Sequence, residues 1–217
     1  MSFGLTFVND SNVITLDSEF SRLVIIAKGT YSGSGGASVG FPSTVTSPEP
    51  PLVFVRPNQS NTLCFCKITG SPGAWTGFSF TGIVGVGTSG IWFSAAFQSK
   101  PVANYGLRLW DSSSKILFDN GTPAAQFTRT ITSWTYLGSE QTSQGVYRLS
   151  WTAASPLNTG DYMLLNNIAM DVAGSTSRQG NQYAVWDYVN NRLVMQVIGV
   201  DVQTTLYTPV VWAKPIS

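Results

Sequence analysis

No histidine occurs anywhere in the 217 residues. That absence removes the usual general base, the commonest metal ligand and the one side chain that ordinarily titrates near neutral pH. Hydrolysis by a histidine triad or by a histidine-bound zinc is therefore excluded. Charge is scarce as well: 12 basic and 11 acidic residues leave a formal net charge of +1, with about half the usual share of charged side chains. Such a surface is made of Ser, Thr, Asn, Gln and Gly, and it works by shape and packing rather than by electrostatic steering. The lysines and arginines are scattered and form no basic stripe, which argues against nucleic acid as a partner. No spaced acidic loop of the kind that holds calcium is present. Cysteine is limited to Cys64 and Cys66. At i and i+2 of an apolar run they point to one face of a strand, where neighbours seldom close a disulfide, so both are read as buried free thiols. The opening MSFGLTFVNDS lacks the basic region and apolar core of a signal peptide, so ordinary secretion is not expected. No window of about twelve residues keeps a helical apolar period.

What is plentiful points to strands. Twelve Phe, 8 Tyr, 7 Trp and 21 Gly suit alternating strands and tight turns. The clearest stretch is Asn104–Asn120, NYGLRLWDSSSKILFDN. Leu107, Leu109, Ile116 and Phe118 stand at two-residue spacing on either side of Asp111-Ser112-Ser113-Ser114, the pattern of a hairpin. Gly4–Ser18 repeats it: Gly4 matches Gly106, Leu5 matches Leu107, Ser11 matches Ser113, Ile14 matches Ile116 and Asp17 matches Asp119. The agreement in order, spacing and turn chemistry predicts a duplicated hairpin. A weaker third version begins at Tyr183, where Trp186-Asp187 and Arg192-Leu193 follow Trp110-Asp111 and Lys115-Ile116 with one extra turn residue.

Taken in order, Arg22–Ala27 reads as a strand, and Gly29–Pro50 is so rich in Gly, Ser and Pro that it is expected to be a long loop or an extended arm. Leu52–Arg56 and Thr62–Ile68 read as a strand pair. The uncharged run Phe78–Phe97 is long enough to raise a membrane span, but its glycines and a turn signal at Gly87–Gly90 favour two buried strands. Gln126–Leu137 reads as one long alternating strand and Gly145–Ala153 as another. Tyr162–Leu165 and Ile168–Val172 follow, then a polar loop over Ala173–Gln182, a hairpin turning at Asn190-Asn191, and a last strand through Leu206–Trp212. The expected fold is all-β, an antiparallel β-sandwich-like architecture with a duplicated hairpin unit, built from about fifteen strands. The boundary is placed near 98–102, giving an N-terminal β unit at 1–100, which holds the 29–50 loop, and a C-terminal sandwich-like unit at 101–217. Two separate units or one intertwined fold are both compatible with the pattern.

The opening Met1–Leu5 with Phe7–Asn12 and Leu16–Ser18, together with Tyr105–Asp111 and Ile116–Asp119, resembles a group of small β-rich minor tail proteins of long-tailed bacteriophages. The resemblance covers residues 1–18 and 104–120 and carries over no catalytic or ligand residue, because the matching positions are hairpin residues. It implies a structural component of the tail tip, baseplate or fibre apparatus, present in several copies and assembled in the bacterial host cytoplasm. The expected partners are further copies of the chain and other virion tail proteins, with no membrane insertion, no cofactor and no catalytic residue. An enzyme would have to work with carboxylates, and no local pattern favours a pair of them. The alternative is a module that binds a receptor or a host cell-surface glycan through aromatic faces flanked by polar side chains. Most tryptophans lie in alternating runs that belong to a core. Trp110 and Trp186 adjoin turns and are the candidate glycan or partner contacts.

Overall fold

The computed structural model describes residues 6–8, 10, 14–17, 22–168, 171–173, 179–200 and 205–216. Among them are eighteen strands and no helix. A first hairpin, β1 (Thr6–Val8) and β2 (Ile14–Asp17), precedes β3 (Val24–Ser34), β4 (Gly36–Val45), β5 (Leu52–Pro57), β6 (Asn61–Ser71), β7 (Ala74–Thr81) and β8 (Gly87–Ala96). A second hairpin, β9 (Arg108–Trp110) and β10 (Ile116–Asp119), precedes β11 (Ala124–Ile131), β12 (Thr135–Ser143), β13 (Val146–Thr152) and β14 (Tyr162–Leu164). The chain ends with β15 (Asp171–Ala173), β16 (Gln179–Asp187), β17 (Arg192–Val200) and β18 (Val210–Ile216).

The protein is all-β, with antiparallel sheets packed face to face as in a sandwich. One sheet curls into a closed barrel in the order β11-β18-β14-β5-β8-β3, and the other is an open eight-stranded sheet in the order β12-β13-β17-β16-β6-β7-β4, with β15 beside β16. β5 is an unbroken apolar run in which Val53, Phe54 and Val55 are all fully buried, because the strand is covered on both faces. Val53 and Val55 join Trp92, Met163 and Trp212 against Leu63, Leu149, Trp186 and Met195 of the open sheet. Phe54 belongs to a second cluster with Leu23, Phe93, Ala95, Leu164 and Ala213. Its ring lies 6.2 Å from that of Phe127, although β14 and β18 stand between their strands. Rings that far apart along a sheet meet only across an enclosed interior, so this smaller cluster fills the barrel.

Both sheets draw strands from both halves of the chain. The expected division into 1–100 and 101–217 is thereby corrected: the halves are intertwined rather than laid side by side. The expected loop at Gly29–Pro50 is corrected as well, since β3 and β4 occupy all of it except Gly35 and the last five residues. Here the glycines permit close backbone approach. β3 pairs with β8 in the barrel, whereas β4 pairs with β7 in the open sheet, so the two-stranded ribbon crosses from one sheet to the other at Gly35 and Gly82–Val86. Gly35 N–H donates to Val86 O at 2.9 Å and Gly82 N–H to Gly35 O at 3.1 Å. Gly36, at φ 131°, sits where an added Cβ would come 2.4 Å from Phe80 O. Glycine therefore marks a corner.

Elsewhere too the chain changes sheet where its composition gives no warning. Gln126–Leu137 is two strands, β11 in the barrel and β12 in the open sheet, with Trp134 Nε1 donating to Thr208 O at 2.9 Å in the break between them. Gly87–Gly90 opens β8 instead of forming a turn. The last strand starts at Val210. Gln179–Gln182, expected as loop, lies in β16, while 174–178 fall outside the described residues, as do 169–170 of the expected Ile168–Val172 strand.

The two thiols are free. Cys64 is buried, and its Sγ lies 2.9 Å from Thr81 Oγ1. Phe65 between them takes φ 49° at an interruption of the β6–β7 ladder. Burial pushes the Cys66 thiol up to about 12, and burial also raises Cys64 against the lowering effect of its Thr81 hydrogen bond. Alkylation of the native protein at pH 8 should therefore run at least about tenfold slower than that of free cysteine, since the thiolate is the nucleophile. Denaturation without reductant should release both thiols; recovering none would contradict this assignment.

Candidate functional site

The second hairpin is built from its turn outward. Asp111 Oδ1 accepts from the N–H groups of Ser113 and Lys115, both at 2.8 Å, and Asp111 N–H donates to Lys115 O at 2.9 Å. This carboxylate-capped turn lets Ser114 hold φ 63° and fixes the register of the strands. Ile116 pairs with Trp110, and Phe118 with Leu109, so Leu117 is an extra, bulged residue. The bulge turns Leu117 inward, where it is buried while its carbonyl accepts from Ser99 Oγ at 2.8 Å.

The first hairpin has the same strand register. Thr6 pairs with Asp17, Phe7 with Leu16 and Val8 with Ile14, with its irregularity at the equivalent rung. Rung for rung these are Arg108 with Asp119, Leu109 with Phe118 and Trp110 with Ile116. Each hairpin forms a two-stranded sheet of its own, apart from the barrel and the open sheet. The third version also pairs at the expected rung, Trp186 with Leu193, but it lies inside the open sheet and carries no bulge there.

Asp119 anchors the second hairpin. Its Oδ2 accepts from Arg108 Nε at 2.7 Å, and its Oδ1 accepts from the N–H groups of Ala103 at 3.0 Å and Gly121 at 2.9 Å. Arg108 Nη2 also donates to Ala103 O at 2.8 Å. Burial works against the charged form of Asp119, but hydrogen bonds from Ala103, Arg108 and Gly121 outweigh it and hold the carboxyl below its ordinary 3.8. A carboxyl whose pKa is depressed in the folded state contributes stabilisation that is complete above the unfolded value and is lost as pH falls through the folded one. The Ala103 and Gly121 amide resonances should thus titrate with a midpoint below 3.8, and Asp119→Asn should abolish that titration. A midpoint at or above the ordinary value would contradict the anchor.

Several large apolar side chains of this hairpin and its approach are open to solvent: Trp110 is 54% exposed, and Val102, Tyr105 and Leu107 are exposed as well, beside the polar turn Ser112–Lys115. Arg108 lies 5.9 Å from the Trp110 ring centroid, a cation held over the aromatic face. Trp186 is the opposite case. It is 1% exposed, with its ring 5.2 Å from Trp212 and 5.7 Å from Tyr188. As a contact for glycan or partner it is corrected to a core residue, because β6 and β17 flank its strand and the barrel covers its face. The other five tryptophans are buried or half-buried, and Trp75 and Trp92 donate their indole N–H to Ser47 O and Thr30 O. Sequence reasoning missed the Arg108–Asp119 pair, whose signal was cross-strand placement once the bulge is counted.

A concavity of about 420 Å3 lies on the outer face of the open sheet between Leu137, Glu140, Arg148, Asp187, Arg192 and Gln196. Its carboxylates are each bound to an arginine, Glu140 to Arg148 and Asp187 to Arg192. The Asn190 side chain is the main cause of a lowered Asp187 pKa, aided by Arg192. Glu140 shares a row with Arg148, Ile198 and Asn181, so Asp187 stands three strands across and six residues along β16. At about 3.3 Å per residue and 4.8 Å per strand, the backbone positions of the two are roughly 20 Å or more apart, and each carboxylate is engaged by the arginine beside it. Among the described residues no three His, Cys, Asp or Glu side chains are grouped to hold a metal. No family model matches the chain, and neither a curated protein nor a solved structure does.

Proposed function

We propose that this protein is a non-enzymatic building block of a bacteriophage tail, in the tail tip, baseplate or fibre attachment, acting by packing against further copies of itself and other virion tail proteins. The observation that carries the reading is the pair of hairpins with the same register and bulge, each standing apart from the main sheets. The second of them presents Trp110, Tyr105 and Leu107 to solvent. A hairpin held in register by a buried carboxylate, with large aromatic and aliphatic side chains left open to solvent, is suited to being covered by a neighbour. The resemblance of residues 1–18 and 104–120 to small tail proteins supplies the setting. The scarcity of charge supports contact by shape.

Recognition of a host glycan is the second reading, favoured by one observation: Trp110 is the single exposed tryptophan and has Arg108 at its face. Binding of the isolated protein to intact host cells separates the two. On the assembly reading it binds neither cells nor their purified glycans. Saturable binding that Trp110→Ala weakens without altering the thermal melt would make it a receptor binder, and release of sugars from the envelope would make it an enzyme.

A further inference from the structure

The two halves of the chain are alike well beyond their hairpins. Exchanging β3 with β11, β8 with β18 and β5 with β14 gives the same barrel order read from the other end. Exchanging β4 with β13, β7 with β17 and β6 with β16 does the same for the open sheet, to which the second half adds β12 and β15. Where β3 meets β11, Ile25 N–H donates to Pro123 O at 2.8 Å and Ala125 N–H to Leu23 O at 3.0 Å, two bonds that the exchange interconverts. Just past a register shift in each ladder, Gly29 pairs with Trp92 as Arg129 pairs with Trp212. Val55 stands opposite Trp92 as Met163 stands opposite Trp212, so two residues earlier Val53 corresponds to Asp161.

The first half fills this place without charge. Val53 is fully buried, and at Gly29 an added Cβ would lie 3.2 Å from Trp92 Nε1. In the second half the same two positions hold an ion pair. Arg129 Nε lies 3.1 Å from Asp161 Oδ2, with the side chains only 18% and 7% exposed, and the guanidinium sits 4.5 Å from the Trp212 ring centroid. Nη1 donates to Ser155 Oγ, and Nη2 has no hydrogen-bond partner among the described residues. Withdrawing such a pair from water is costly, and well-packed apolar residues in its place are often no less stable. A fold that already does without the pair at Gly29 and Val53 does not require it. Arg129 lines a hollow of about 360 Å3 with Thr130, Thr132, Ser133, Trp134 and Ser155 in its wall. It is the one charged residue of that wall among the described residues; Asp161 is not part of it.

We propose that this hollow is an oxyanion site that takes a carboxylate group. Arg129, held by Asp161 and Trp212, is its cation, and the wall hydroxyls are further donors. A single guanidinium whose charge is already shared with Asp161 suits a singly charged, planar carboxylate better than a doubly charged phosphate. The site stands on the ion pair and goes beyond the assembly reading without depending on it.

The test is a titration of the full chain with sodium acetate, against sodium chloride at equal ionic strength, followed at the Arg129 Nε–H and Ser133 N–H resonances. Both should shift saturably with acetate and not with chloride. Arg129→Gln combined with Asp161→Asn leaves no buried charge unpaired. It should melt within about 5 °C of the wild type and bind acetate at least about tenfold more weakly. Ser133→Asp, at an exposed position, should weaken binding as much by placing a like charge in the wall. No saturable shift in the wild type, or binding that survives either variant, overturns the proposal. A double variant that melts far earlier overturns it too, because the pair would then serve the fold. Inorganic phosphate saturating the site in preference to acetate would overturn the carboxylate assignment. A free acid and an acidic side chain of a neighbouring protein share this chemistry. Loss of folded Ser133→Asp chains from purified tails would identify the neighbour's side chain, and their retention beside acetate binding in the wild type would identify a free acid. A wild-type chain that binds acetate but is absent from tails would leave this site standing and refute the assembly reading.

Discussion

Trp186→Ala should destabilise the protein by about 3–5 kcal/mol, the usual effect of emptying a large aromatic site in a core. At this chain length that corresponds to a fall of roughly 10 °C in Tm. The side chain is fully enclosed, its ring meets Trp212 edge-on at 5.2 Å, and its strand pairs on both sides, with Leu193 in β17 and with Asn61 in β6. Little around it can collapse to fill the space. Trp110→Ala, at an exposed ring, should change stability by under about 1 kcal/mol. Thermal melts of the two variants beside the wild type make the comparison. Similar small losses from both would mean that Trp186 is not buried and would return it to the list of contact residues.

The second large effect is expected at the corner. Gly36→Ala should cost about 2–6 kcal/mol, combining the strain of a left-handed residue with the repair of a backbone clash. At φ 131° the new Cβ would lie 2.4 Å from Phe80 O and 2.8 Å from Thr81 Cα. Both neighbours are backbone, so relief requires the β4–β7 ladder to shift. Gly40→Ala, only four residues on, has nothing within 4 Å of its added Cβ and should be neutral within about 0.5 kcal/mol. Equal tolerance at the two sites, read from denaturant midpoints, is what a surface loop at 29–50 would give, and it would refute the corner.

The hairpins were legible because two-residue alternation and turn chemistry are local, and cross-strand register follows from them. Even the weak third version at Tyr183 pairs where its alignment placed it. The sheet-switching corner was not legible, since Gly33, Gly35 and Gly36 look alike whether glycine frees a loop or admits a neighbouring backbone. What decides is the β7–β8 connection some fifty residues away, and composition carries no trace of it. The two candidate tryptophans show the same limit. Trp110 and Trp186 both adjoin turns, and their alternation is alike; one is exposed and the other buried because β6 pairs beside Trp186 and the barrel lies over it. Burial here is a property of tertiary neighbours.

A chain that serves by being packed into a particle must be found in one. Mass spectrometry and imaging of purified bacteriophage tails carrying a tagged copy test it most directly. Several copies per tail are expected at a fixed place on the axis, with Trp110 protected from solvent there although it is open in the isolated protein. A protein absent from purified tails, or present with Trp110 still exposed and free to bind host glycans, would contradict it.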